Sequence, residues 1–229
     1  MRRALKLLRY LAQLLVVVSP WPVKRRLLVR FWRYEIHPSA HIAPLAWIFP
    51  KHLVMEEKSQ ICALTVAIHI EHFFMGADSY LGRSNWITGQ PKDDPVHYRH
   101  KANRDPSLYI GKCASITKSH LIDCTDRIEI GAYTTIAGYA SQFITHGINT
   151  QDNRQDCKPI RIGAHCLVGT RVLILGGGSL PDRCVLGAGG VLLHAFDQPD
   201  GLYAGSPAKW VRPIEAGAQY FARTERIVY

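Results

Sequence analysis

Among the eleven histidines of the chain, His146 has the context of a catalytic base. It ends the segment Phe143-Ile144-Thr145-His146 and precedes a polar stretch, 147–159, that interrupts a regular pattern of aliphatic residues. Imidazole titrates near neutral pH, so it can take a proton from a hydroxyl that is attacking a carbonyl. A solvated surface histidine beside a loop fits the same context, and the residue types alone leave both interpretations open.

The elements around His146 follow a six-residue period of aliphatic residues, and the next residue is often small. The members are Ile162, Val168, Ile174, Leu180, Leu186 and Leu192; Ile110, Ile116, Ile122 and Ile128; Ile130 and Ile136; Ile36, Ile42, Ile48 and Val54; and Leu81 and Ile87. A period of six fits neither an amphipathic helix nor a sheet with one solvent face.

This period predicts an all-β prism of short strands with an N-terminal helical arm. Each hexad makes one side, its aliphatic residue points to the axis, and three hexads close a coil of about 18 residues that stacks by parallel pairing. The predicted units are a basic amphipathic arm (1–34), the prism (35–214) and a tail (215–229). Because a stack needs caps, we expect the arm and the tail to supply them. A polar excursion (90–107) and the loop 147–159 interrupt the repeat.

The coil register predicts a partner for His146. If Ile122 and Gln142 begin equivalent sides of successive coils, Asp126 and His146 share the fifth position on strands about 4.8 Å apart. A carboxylate there would hold one imidazole tautomer and stabilise the imidazolium. A surface aspartate paired with an arginine is the alternative for Asp126, and Asp123 takes the orienting role if a bulge shifts the register.

The C-terminal coils resemble the hexapeptide-repeat acyltransferases, the group of galactoside, maltose, serine and polysaccharide O-acetyltransferases. The resemblance is strong across 108–214 and legible across 35–90, and AGSPAKWVR at 204–212 is close to the family element AGxPAKxxR. The segments IHPSAHIAPLAWIFPKHLVM, SNWITG and HLIDCTD look like acetyltransferases of bacterial surface-polysaccharide clusters. The resemblance implies a left-handed parallel β-helix, an exception to the usual right-handed crossover, and a homotrimer with active sites between adjacent prisms.

The resemblance further implies O-acetyl transfer from acetyl-CoA, with His146 in the place of the family's catalytic base. Small residues that match places where the family's backbone approaches the pantetheine arm are Gly169, Thr170, Ala188 and Gly189. Lys209 and Arg212 match basic positions near the nucleotide phosphates, although solvated terminal cations would look the same.

The acceptor side is less distinct in the sequence. Asn85 matches, by rough position, an acceptor-side asparagine of sugar-acetylating members, and a corner residue is the alternative. The excursion 90–107 either covers the acceptor or is a mobile surface loop. A longer acyl donor or an amine acceptor fits the same residues.

The N-terminal arm carries the basicity of the chain. Its first 33 residues hold nine Lys and Arg and no acid, whereas beyond them 19 Lys and Arg balance 18 Asp and Glu, so we expect no nucleic-acid partner. An apolar stripe runs along its first helix: Leu7, Leu8, Leu11, Leu14, Leu15 and Val18. The apolar segment of this first helix is too interrupted for a signal peptide and too short for a spanning helix. We interpret the arm as an interfacial anchor on an anionic membrane, with a helical cap or subunit contact as the alternative.

Composition excludes several classes of protein. With 229 residues, the chain is expected to be one globular domain with an appendage. Its 47% of hydrophobic residues excludes a disordered protein. It contains no run of 18 apolar residues, which excludes a polytopic membrane protein. Six dispersed cysteines without a CxxC pair indicate reduced thiols, no structural zinc and a cytoplasmic location, peripheral on the inner membrane face if the arm is an anchor.

Two other functions use the same fold. A gamma-type carbonic anhydrase needs three converging histidines, and the candidate pairs His69/His72 and His97/His100 lie outside the clean repeats. We therefore expect no metal. A non-enzymatic, membrane-associated trimeric scaffold is the second alternative. The expected acceptor is a saccharide or a lipid-linked saccharide.

Overall fold

The computed structural model describes residues 2–94 and 96–228, with side chains from residue 7 onwards, and most of it is a three-sided column of parallel strands. The first side contains β1 (Glu35–Ile36), β4 (His52–Met55), β7 (His72–Met75), β10 (Ser107–Ile110), β13 (Ile128–Ile130), β18 (Ile160–Ile162) and β21 (Ser179–Leu180). The second contains β2 (His41–Ile42), β5 (Gln60–Ile61), β8 (Tyr80–Leu81), β11 (Ser115–Ile116), β14 (Thr135–Ile136), β19 (Leu167–Val168), β22 (Val185–Leu186), β24 (Gly201–Gly205) and β25 (Ala208–Pro213). The third contains β3 (Trp47–Phe49), β6 (Val66–Ile68), β9 (Trp86–Thr88), β12 (Leu121–Asp123), β15 (Gln142–Ile144), β20 (Leu173–Leu175) and β23 (Val191–Leu192).

The six-residue period describes the core well. All six members of the frame that starts at Ile162 are at most 1% exposed, so each side contributes its aliphatic residue to the axis as predicted. Val54 is the exception: it pairs with Glu35 and is half-buried, while Leu53 and Met55 face the axis. Longer strands on the first side carry two inward residues, which makes the coil from Met55 to Met75 20 residues long.

The N-terminal arm forms two helices, α1 (Arg2–Val18) and α2 (Trp21–Phe31), and Pro20 ends the first. Their junction closes the first end of the column, because Val16, Val17 and Leu28 belong to the core. The cap alternative therefore holds for α2 and the end of α1. The predicted stripe on α1 is exposed, between 48% for Leu14 and 66% for Leu15. No helix in the described ranges combines the length and apolar character needed to cross a membrane.

The prediction that the tail caps the other end is wrong. The segment after β23 closes that end, with Phe196 stacked on Tyr203 at 4.2 Å between ring centroids. The tail, which includes a 3-10 helix at Gln219–Ala222, runs back along the second side. Tyr220 donates to the carbonyl of Cys166, and Arg226 reaches Asp78 several coils away.

Candidate active site

His146 lies at the edge where the third side turns into the first. It follows β15 and begins a hairpin of β16 (His146–Asn149) and β17 (Arg154–Cys157), so part of the predicted loop 147–159 is an antiparallel pair. The predicted excursion leaves the same edge two coils earlier, after β9, and rejoins the column when β10 begins at Ser107. The two insertions and the corner of the coil between them therefore share one edge of the prism.

Asp123, and not Asp126, contacts His146: the Asp123 Oδ2 atom lies against the imidazole Nδ1. The predicted contact with Asp126 is wrong because the true register pairs Leu121 with Gln142. Asp126 instead accepts hydrogen bonds from the backbone N–H groups of Asp105 and Arg127, at 3.1 and 2.9 Å.

One additional residue in a corner causes this shift. Six residues separate the inward Ile136 from the next inward residue, Phe143, whereas five separate Ile116 from Ile122 in the coil before. The sixfold frame would place Gln142 inward, but Gln142 is exposed and Phe143 is 1% exposed. A register change of one residue moves side chains to the other face of a strand.

The Asp123 carboxylate is fixed in place. The residue is 6% exposed, and its Oδ1 atom accepts a hydrogen bond from the backbone N–H of Thr125 at 2.8 Å. The Thr145 hydroxyl donates to the Asp123 carbonyl at 2.8 Å and accepts from the Asp126 N–H at 2.9 Å. A carboxylate at Nδ1 holds the proton on that nitrogen, so Nε2 carries the lone pair.

His146 lines a groove with a volume of ≈ 270 Å³. The other lining residues are Thr145, Gly147, Ile148, Asn149, Asp156, Cys157, Lys158, Leu175 and Gly176. The His146 side chain is 43% exposed, so a substrate in this groove can reach it. Gly176 of the next coil packs closely on Thr145 at this groove: a Cβ atom at Gly176 would lie 2.5 Å from the Thr145 carbonyl oxygen.

Cys157, which the sequence interpretation did not single out, pairs with His146 across the hairpin. A cysteine beside a histidine can form an acyl-enzyme only as its thiolate. Burial, together with the Asp126 carboxylate, raises the pKa of the Cys157 thiol to about 12. Cys157 therefore stays protonated near neutral pH and is not a ready nucleophile.

The four residues matched to the pantetheine arm meet at another edge, between the second and third sides. Gly169 packs against Ala188, and the Gly189 N–H donates to the Thr170 carbonyl at 2.9 Å. The Thr170 hydroxyl is turned to the backbone of Tyr139 in the preceding coil. A Cβ atom at Gly189 would meet nothing within 4 Å, so the corner is open to solvent.

The two predicted phosphate-binding residues lie on β25 at the end of the second side. Lys209 pairs with Ala204, whose Cβ is beside Gly187, so Lys209 lies about 10 Å, or two strand spacings, from that corner. Arg212 is exposed and lies 3.6 Å from Glu215. The chain thus brings Gly169, Ala188 and their neighbours together with Lys209, but it places His146 on a different edge.

Asn85 is a corner residue and not part of the groove. It is 1% exposed, its amide donates to the carbonyls of Gly82 and Thr117 at 2.8 Å each, and its Oδ1 accepts from the His120 N–H at 2.9 Å. Both amide donors and one acceptor site of Asn85 are used by the backbone. The acceptor-binding prediction for Asn85 is therefore replaced by its structural alternative.

Neither histidine pair forms a metal site within the described ranges. No group of three or more His, Cys, Asp and Glu side chains among those residues is arranged to hold a metal ion. The six cysteines all lie in the described ranges and are free thiols.

No protein-family model matches the sequence. No curated protein sequence matches it either. Among solved structures the chain is similar to a polysialic acid O-acetyltransferase, with a TM-score of 0.56 and 19% identity over 82% of this chain and 90% of that one. It is also similar to a hexapeptide-repeat acetyltransferase from Vibrio cholerae (TM-score 0.48, 18% identity, 93% and 92% covered) and to a maltose O-acetyltransferase from Clostridium difficile 630 (0.43, 12%, 89% and 83%). The chain has the left-handed parallel β-helix fold of the hexapeptide-repeat acetyltransferases.

Proposed function

We propose that this protein is an acetyl-CoA-dependent O-acetyltransferase that acts on a sugar hydroxyl in the synthesis of a bacterial surface polysaccharide or glycolipid. The observation that carries the proposal is the His146–Asp123 pair at a groove on the edge of this β-helix. The fold shared with a polysialic acid O-acetyltransferase supports acetyl transfer to a saccharide.

In the proposed reaction, Asp123 holds the Nδ1 proton and His146 Nε2 takes the proton of the acceptor hydroxyl. Acetyl-CoA supplies the activated acyl group as a thioester. The hydroxyl oxygen forms a bond to the acetyl carbon, the carbon–sulfur bond breaks, and the His146 imidazolium returns the proton to the departing thiolate. The buried Asp123 carboxylate stabilises the imidazolium between these two proton transfers.

Binding of acetyl-CoA separates this proposal from the scaffold alternative. A ligand at 100 times its Kd stabilises a folded protein by about 2.7 kcal/mol, which a thermal melt resolves. We expect acetyl-CoA to stabilise both the wild type and His146→Ala, and only the wild type to release free CoA with a saccharide acceptor. A folded wild type that neither responds to acetyl-CoA nor turns it over would leave the scaffold as the function.

We also propose that the active protein is a homotrimer. If the corner of Thr170 and Gly189 binds the donor, one chain cannot complete the site, because His146 lies on a different edge. Co-expression of His146→Ala with Ala188→Trp tests this, since each homotrimer is inactive but mixed trimers contain intact shared sites. Recovered activity in the mixture supports the trimer, whereas an active monomer by light scattering would contradict it.

The arm provides the proposed link to the cytoplasmic face of a membrane. α1 exposes an apolar stripe, and the arm carries eight cations besides the buried Lys24, a combination that suits insertion at an anionic lipid surface. We expect the protein to sediment with phosphatidylglycerol vesicles but not with phosphatidylcholine vesicles. Leu8→Asp/Leu15→Asp should abolish sedimentation, while Ile227→Asp, an exposed apolar control, should not. Equal sedimentation of both variants would refute the anchor.

A further inference from the structure

A second cavity lies beside the His146 groove, between the excursion and the hairpin. Its volume is ≈ 610 Å³. Its lining residues are Val96, His97, Tyr98, Arg99, His100, Ile148, Asn153, Arg154 and Gln155. Because Ile148 also lines the groove, the two spaces are neighbours on one edge.

The excursion is held against the hairpin by specific contacts. The Tyr98 hydroxyl donates to Gln155 Oε1 at 2.8 Å, and the Lys101 ammonium lies 2.7 Å from Asp156. Behind them the guanidinium of Arg104, 4% exposed, donates to the carbonyls of Gln90 and Thr125. These bonds hold the two walls of the cavity in place, and both walls are formed by the insertions and not by a side of the prism.

The cavity has a positive lining. Arg99, Arg154 and two histidines are among its lining residues, and none of the described lining residues is acidic. Two carboxylates lie nearby: Asp94 accepts from the N–H groups of Val96 and His97 at the cavity wall, and Asp156 pairs with Lys101 on the hairpin. A recess lined by one sign of charge concentrates ligands of the opposite sign.

The distance between the cavity and His146 is about the length of one sugar unit. Ile148 and its partner Gln155 are two residues along the hairpin from His146 and Cys157, which is roughly 7 Å in an extended strand. A ligand anchored in the cavity by an acidic group can therefore present a hydroxyl of the same or the adjacent sugar to His146.

We infer that the acceptor is an anionic saccharide whose carboxylate or phosphate occupies this cavity, with Arg154 as a principal contact. The inference rests on the proposed function for the identity of the reaction and deepens it by assigning the charge of the substrate. The shared chemistry is a sugar-borne anion, and separate probes distinguish its two sources.

Calorimetric titration of the full-length protein tests the inference without acetyl-CoA. The probes are glucuronic acid, glucose 1-phosphate and neutral glucose. We expect at least one charged sugar to bind about tenfold or more tightly than glucose, consistent with a charge-assisted contact, and to lose this advantage as NaCl rises. The stronger of the two charged probes identifies carboxylate or phosphate as the group recognised.

Arg154→Gln should weaken binding of the charged sugar about tenfold. Arg161→Gln is the matched control, since Arg161 is exposed on β18 outside the cavity. The inference is overturned if glucose binds as well as both charged sugars, or if the two variants behave alike. A protein that transfers acetyl groups only to neutral sugars would also overturn it while retaining the proposed function. A protein that binds charged sugars but not acetyl-CoA would support the inference about the cavity and contradict the proposed function.

Discussion

His146 and Asp123 form a pair in which one partner is accessible and the other is enclosed. The imidazole is 43% exposed, whereas Asp123 is 6% exposed and held by a backbone N–H and by the threonine that precedes His146. Rigid placement of the carboxylate orients the imidazole before substrate arrives. The residues that define the base are thus local in space but separated by more than twenty positions in the chain.

The two aspartates should differ sharply on substitution. Asp123→Asn removes the charge beside Nδ1 and favours the wrong tautomer, so kcat should fall on the order of 10²- to 10⁴-fold while the KM for acetyl-CoA changes little. Asp126→Asn is the control and should leave kcat nearly unchanged, because an amide oxygen still accepts its two backbone bonds. Steady-state kinetics of both variants check this, and a loss confined to Asp126→Asn would return Asp126 to the orienting role.

Asn85→Ala should reduce stability and not acceptor affinity. The substitution removes three hydrogen bonds to buried backbone groups and should lower the free energy of unfolding by about 3 kcal/mol. Denaturant unfolding measures the loss, and the KM for the acceptor is the control. A raised KM with unchanged stability would show that Asn85 binds substrate after all.

At the scale of elements, the active edge combines coil corners with two insertions. The excursion and the hairpin leave the same edge and contact each other, and Gly176 from the coil above closes the groove against Thr145. The geometry of the groove therefore depends on how closely successive coils approach at this corner. Such contacts are sensitive to a single added carbon atom.

Two glycines that line the same groove provide a matched test. A Cβ atom at Gly176 would lie 2.5 Å from the Thr145 carbonyl oxygen, whereas one at Gly147 would meet nothing within 4 Å. Gly176→Ala should destabilise the protein by about 1–3 kcal/mol and lower kcat, because the coils must move apart beneath His146. Gly147→Ala should be tolerated. Thermal melts and kinetics distinguish the two, and equal tolerance would mean that the corner can relax.

At the scale of the whole molecule, the column is closed at its first end by the helical arm, and a buried cation joins the two. Lys24 is 2% exposed, and its ammonium donates to the carbonyls of Val17 and Ala43 at 3.4 and 3.0 Å, and to that of Ala46. Burial lowers the pKa of Lys24 to about 8. The same arm thus caps the core and displays the apolar stripe of α1.

This lysine should make stability depend on pH. Between about pH 8 and the unfolded pKa near 10.5, the unfolded chain keeps the Lys24 proton and the folded chain has lost it, so the Lys24 contribution to stability rises with pH in that window. Unfolding of Lys24→Met should lack this contribution, whereas the exposed control Lys118→Met should retain it. Chemical denaturation from pH 7.5 to 10.5 measures the difference, and identical slopes would show that Lys24 is not buried as described.

The aliphatic period alone predicts the prism, because an inward aliphatic residue every sixth position is a local pattern that repeats with the sides of the column. It also located His146, because the pattern stops there. Both features depend on residues that are close in the chain, whereas the small residues matched to the pantetheine arm came only from the family resemblance.

The partner of His146, the role of Asn85 and the position of the tail depend on contacts between coils, so the amino-acid pattern did not reveal them. The partner changed because one residue in the corner before Phe143 shifted the register between coils, a difference that a sixfold count passes over. The cationic cavity was also invisible, because the excursion and the hairpin are some fifty residues apart, with Tyr98 bonded to Gln155. Contacts between coils depend on how the coils stack. Small differences in corner length change the register between coils, and the register decides which side chains come into contact.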